Sequence, residues 1–117
     1  MSEYLLLIAE QESGYENGGQ EVFDKVMAGH NAFSEKWGEK VLGGNALQPT
    51  STATFLRADG AGSHTVTDGP FIESKEALGG YYLVEAADLD EAIEMARQVP
   101  LAGASGGLEV RPIMVFS

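Results

Sequence analysis

The chain alternates between the apolar rhythms of strand and helix. "EYLLLIAE" (Glu3 to Glu10) is a short apolar run without a breaker, and it predicts a buried first strand. "QESGYENGG" reads as a polar, Gly-rich loop. From about Gln20 to Lys40, Val22, Phe23, Val26, Met27, Phe33 and Trp37 keep to one stripe at helical spacing. Gly43-Gly44 is the predicted stop of that helix. "ALQPTSTATFLRADGAGSHTVTDG" reads as strand, turn, strand, with "ADGAGS" as the turn. "GGYYLVEA" (Gly79 to Ala86) is a strong strand pattern. Asp88, followed three residues later by Glu91, has capping-box spacing and opens a second helix. Leu89, Ala92, Ile93 and Ala96 form its predicted buried stripe, and Pro100 closes it. "LEVRPIMVF" (Leu108 to Phe116) is the last strand, with Pro112 marking an edge, an end or a bulge.

This order predicts an α+β fold, a ferredoxin-like βαββαβ arrangement with an extra β-hairpin, over a single domain spanning 1–117. Both helices would cover one sheet face. The other face still carries apolar residues, because Leu5 to Ile8 are apolar on both sides of the strand. A second subunit is the simplest cover, so a homodimer is expected.

Composition narrows the function classes. With 117 residues and 44% hydrophobic positions, the chain suits one ordinary globular core. Seven Lys and Arg against 18 Asp and Glu give a net charge of -11. That balance argues against nucleic acid and against an anionic membrane, and it suits a basic protein partner. There is no cysteine, so disulfides and thiolate chemistry are excluded. "YLLLIA" lacks the basic flank of a signal segment, and no run approaches the roughly 20 residues of a membrane span. A soluble, cytoplasmic protein is expected.

Few side chains are equipped for chemistry. His30 lies four residues after Val26 and three before Phe33, on the helix face that meets the sheet. It suits proton transfer near neutral pH, and equally a packed histidine satisfied by a backbone carbonyl. His64, beside the "ADGAGS" turn, reads as a surface residue. Asp68 opens a turn that Pro70 stiffens, and it is the candidate carboxylate to orient His30; an Asx cap of the turn is the plainer role. Arg57, Lys75 and Arg111 are three of seven cations, and Glu73 with Lys75 and Glu109 with Arg111 have the i, i+2 spacing of strand-face ion pairs. The alternative for these groups is a polar pocket mouth, with Arg111 gripping a carboxylate. Two distant histidines offer no zinc-like cluster, and neither dinucleotide-binding nor P-loop glycine patterns occur.

"DGPF" at Asp68 to Phe71, followed by "IESKEALGGYYLVE", "DLDEAIEMARQVP" and "LEVRPIMVF", closely resembles the YCII-related family and, more narrowly, its DGPF-domain branch. "HNAF" at His30 to Phe33 and "GGNALQPT" at Gly43 to Thr50 extend the likeness over nearly the whole chain. The resemblance implies a dimeric α+β barrel with a pocket near the first helix. It also implies a His-Asp pair there, onto which His30 maps by its place in the motif, with Asp68 as the candidate second member across the extra hairpin of this branch.

Two functional readings follow. In one, a cofactor-free and metal-free lyase or isomerase uses His30 and Asp68 on a small polar molecule. Arg57, Phe71, Glu73, Lys75 and Arg111 would then contact substrate. In the other, the dimer is a ligand-sensing or adaptor module acting with an extracytoplasmic-function sigma factor, a role implied by the resemblance and compatible with the acidic surface.

Overall fold

The computed structural model describes residues 1–69, 76–102 and 105–116. Four strands form one antiparallel sheet in the order β2-β5-β1-β6, comprising β1 (Ser2–Glu10), β2 (Val41–Ala46), β5 (Ala77–Ala86) and β6 (Gly106–Pro112). Two helices, α1 (Ser13–Trp37) and α2 (Leu89–Arg97), supply the crossovers. This is the expected ferredoxin-like α+β arrangement. The extra hairpin, β3 (Thr54–Ala58) with β4 (His64–Asp68), makes a separate two-stranded sheet. Its turn is held by Asp59, whose Oδ1 accepts from Ala61 N–H at 2.8 Å and Ser63 N–H at 3.2 Å.

The alternation of β1 sets the core. Tyr4, Leu6 and Ile8 are buried, while Leu5 and Leu7 point to the opposite face and are half-buried. Phe33 of α1, Val84 and Ala86 of β5, and Ala92, Met95 and Ala96 of α2 complete the packed interior.

Local expectations needed correction in several places. The segment from Ser13 was expected to be loop, yet it is helical and joins α1 across a kink at Gly19 (φ 59°, ψ -147°). Tertiary contacts hold this turn. Tyr15 Oη donates to Glu10 at 3.3 Å, and Glu12 accepts from Thr50 N–H at 2.6 Å and Thr50 Oγ1 at 2.9 Å. The helix stops at Gly38, whose φ of 51° suits a residue without a Cβ, rather than at Gly43-Gly44. Those two glycines lie in β2, opposite Leu83 and Tyr82 of β5. Their pairing uses only backbone groups, so side-chain pattern could not reveal it.

The second helix begins as expected. Asp88 accepts from Glu91 N–H at 2.9 Å, while the Glu91 carboxylate accepts from Ala87 N–H at 3.0 Å. It also meets Lys40 Nζ at 2.6 Å, which holds the Glu91 carboxyl below its usual range. The buried face, however, is Ala92, Met95, Ala96 and then Val99, leaving Leu89 and Ile93 exposed. The last strand ends at Pro112 on the edge of the sheet, and residues 113–116 extend beyond it with exposed side chains.

Candidate functional site

Not all of the apolar stripe of α1 is core. Val26 and Phe33 are buried, but Phe23 and Met27 are half-exposed. They line a cleft of about 410 Å³ between α1, the segment after β2 and the start of β5. Leu47, Pro49 and Leu78 complete much of its apolar wall. A smaller cleft of about 230 Å³ adjoins it, and Glu10, Tyr15, Met27, His30, Ala46 and Gly79 line both. The larger volume falls in the range of small-molecule sites. The bonds from Thr50 to Glu12 tie the segment after β2 to the start of α1, and so fix one wall against the other.

His30 stands at the junction of the two clefts, half-buried. Its Nδ1 shares a hydrogen bond with the Tyr82 hydroxyl at 2.6 Å. The Tyr82 ring also packs on Phe33, with centroids 4.6 Å apart, so the phenol is held on both sides by one face of α1. Burial holds the His30 pKa below the ordinary imidazole value, while the negative charge of Glu10 acts in the opposite direction. Burial likewise raises the Tyr82 pKa, with hydrogen bonding by Ser34 opposing it.

Glu10 is the buried carboxylate of this site. It ends the inward row Tyr4, Leu6, Ile8, Glu10 and is only 7% exposed. Its Oε2 accepts from Ala102 N–H at 2.9 Å, and its two oxygens lie 3.3 and 3.4 Å from the Tyr15 hydroxyl. Desolvation first, then the charge and hydrogen bonding of Glu10, push the Tyr15 pKa up to about 12. The carboxylate fits because β5 bulges here. Ile8 pairs with Gly80 and Ala9 with Leu78, which leaves Gly79 as the extra residue. A Cβ on Gly79 would lie 2.4 Å from Glu10 Oε1. The bulge and its missing side chain therefore make the seat of the buried carboxylate.

The structure distributes the sequence-nominated residues widely. His30 is in the clefts. Asp68 is exposed on β4 opposite Thr54, and it lines neither cleft. Arg57 is on the hairpin, with its guanidinium 5.2 Å from the centre of the Phe55 ring. Arg111 pairs with Glu109 at 3.5 Å and lines a groove of about 840 Å³ that also takes in Leu7, on the sheet face away from the core. Phe71, Glu73 and Lys75 fall outside the described residues. His64 is exposed at the start of β4, as expected. Glu10, Tyr15 and Tyr82 were not singled out from sequence. A signal for Glu10 existed, since strand alternation places it on the same face as Leu6 and Ile8. Tyr82 had none, because 52 positions separate it from His30.

Among the described residues, no group of three His, Cys, Asp or Glu side chains is arranged to hold a metal ion. No helix among them is long and apolar enough to cross a membrane. The fold and cleft thus define a ferredoxin-like α+β protein with an imidazole, two phenols and a buried carboxylate around an apolar hollow. The YCII-related domain matches residues 2–117, and the chain belongs to that family. It is also similar to an uncharacterised protein of Rhizobium meliloti (strain 1021), with 40% identity over 116 residues, covering 97% of this chain and 93% of that protein.

Proposed function

We propose that this YCII-related protein is an acid/base enzyme acting on a small molecule in the α1–β5 cleft, with His30 as the proton carrier. The observation that carries this reading is the 2.6 Å contact between His30 Nδ1 and the Tyr82 hydroxyl at the wall of the cleft. A phenol bound to Nδ1 leaves Nε2 as the working nitrogen. When Tyr82 donates to Nδ1, Nε2 carries the proton of the neutral ring and can only donate a hydrogen bond to the ligand. When Nδ1–H donates to the phenol oxygen, the Nε2 lone pair is a base. Burial favours neutral imidazole, the form that accepts a proton, and Glu10 favours the imidazolium that results. Tyr82 thereby takes the orienting role that sequence reasoning gave to Asp68. The reaction class is proton abstraction leading to elimination or isomerisation.

The Asp68-Gly69-Pro70-Phe71 sequence supports assignment to the DGPF branch of the family. The half-buried Leu5, Leu7, Tyr81 and Leu83 on the far face of the sheet support a homodimer joined there.

Hydrogen–deuterium exchange tests the enzyme reading. Small molecules with acidic C–H bonds are incubated with the protein in D2O and followed by proton NMR. Exchange with wild type that disappears in His30→Gln is the expected outcome. Exchange that survives this substitution would remove His30 from the proton-transfer step.

A further inference from the structure

The charges around the cleft are of one sign. Glu10 is deep, Glu12 is half-buried and committed to Thr50, and Glu16 is exposed at the mouth. Among the described residues, neither Lys nor Arg lines either cleft. Glu10 is also the only buried charged residue among them. Buried carboxylates are ordinarily paired with a cation. Here the partners are one backbone amide and one phenol, both uncharged. Two carboxylate oxygens have about four acceptor positions, and the Tyr15 contacts at 3.3 and 3.4 Å are long, so acceptor capacity remains.

We infer that the cleft binds an organic cation, a small molecule with an apolar body and a protonated amine, with Glu10 as the residue that selects the charge. This rests on the reading of the cleft as a ligand site, and it names the class of molecule. An ammonium group offers three N–H donors to a carboxylate that has spare acceptor capacity. Tyr15 and Phe23 put aromatic rings in the lining, and such rings attract organic cations. Phe23, Met27, Leu47 and Leu78 then take the apolar body. The chain's net charge of -11 draws cations toward the surface and repels anions.

The test uses three probes with one apolar body, namely 2-phenylethylammonium, 2-phenylethanol and 3-phenylpropionate. Each is titrated into the wild-type protein and into Glu10→Gln, with the NMR signals of His30, Tyr15 and the Met27 methyl as the readout. The ammonium should bind about tenfold or more tightly than either other probe, and Glu10→Gln should remove the preference over the alcohol while leaving binding of the alcohol itself unaffected. If the alcohol or the carboxylate shifts the same signals as strongly as the ammonium, the cation selectivity is overturned and the cleft stands as a ligand site. If Glu10→Gln folds and retains the preference, Glu10 is not the selecting residue. If none of the three shifts these signals, the cleft is no ligand site for such molecules and the inference falls with it. The wild-type comparison alone decides the charge preference should Glu10→Gln fail to fold.

Discussion

Tyr82 reaches His30 from the sheet, and the two side chains meet at 2.6 Å although 52 positions separate them in the chain. The contact joins β5 to α1 at the wall of the cleft, so it bears on both the fold and the chemistry. Replacing Tyr82 with Phe keeps the ring on Phe33 and removes only the hydroxyl. The expected cost is about 1 kcal/mol of stability, read from urea unfolding. The His30 ring nitrogens should also change their NMR shifts, as the tautomer is no longer set by a fixed partner.

The titration of His30 distinguishes the two carboxylates proposed for it. Glu10 raises the His30 pKa through its charge, so Glu10→Gln should lower that pKa further. Asp68 lines neither cleft, so Asp68→Asn should leave the titration where it is. An NMR pH titration of wild type and both variants reads this directly. A His30 pKa that falls in Asp68→Asn would instead restore the pairing expected from sequence.

Stability should depend on pH through the same histidine. Its folded pKa lies below the unfolded value of about 6.5, so the unfolded chain binds the proton more readily. The contribution is therefore complete above that value. It is lost as pH falls from about 6.5 toward the depressed folded pKa, and is constant below it. Denaturant midpoints between pH 5 and 8 should show this component in wild type and lack it in His30→Gln.

Tyr15 sets the opposite limit. Its pKa is raised to about 12, against an ordinary value near 10. The folded state keeps this phenol protonated where the unfolded chain releases it. The associated stability is full below pH 10 and declines as pH rises from about 10 toward 12. Tyr82 is also held above its ordinary value, so ultraviolet titration should find tyrosine ionisation extending toward about pH 12, and Tyr15→Phe should remove its last step.

The seat of Glu10 makes a further pair of substitutions informative. Gly79→Ala forces a methyl group to within 2.4 Å of Glu10 Oε1 unless something shifts. Overpacking of this kind costs about 1–3 kcal/mol. Because the opposing atoms belong to one side chain, Glu10→Ala should recover part of the loss. A double-mutant cycle by chemical denaturation measures that coupling, and strictly additive effects would show that the two positions do not compete for space.

Much of this protein was legible in one dimension. The β1 run, the β5 strand, the hairpin turn at Asp59 and the Asp88 cap all follow from patterns confined to a few neighbouring residues. His30 was legible too, since helical spacing alone puts it between the sheet-facing Val26 and Phe33. Elements held by backbone or by distant contacts were not legible. Strand β2 pairs through Gly43 and Gly44, which carry no side-chain signal, and the turn at Ser13 is helical because Glu10 and Thr50 hold it there.

The sequence by itself determined the ferredoxin-like order of elements, the acidic charge and the face of α1 on which His30 lies. These depend on periodicity and composition, which are properties of the chain as written. Only the tertiary structure decided which groups surround that imidazole. Strand alternation, itself a local pattern, turns Glu10 inward, but only the Gly79 bulge makes room for its carboxylate, and only the pairing of β5 with β1 and β2 positions Tyr82 beneath α1. Contacts of that separation arise from how sheet and helix pack together, and no local pattern of residues encodes them.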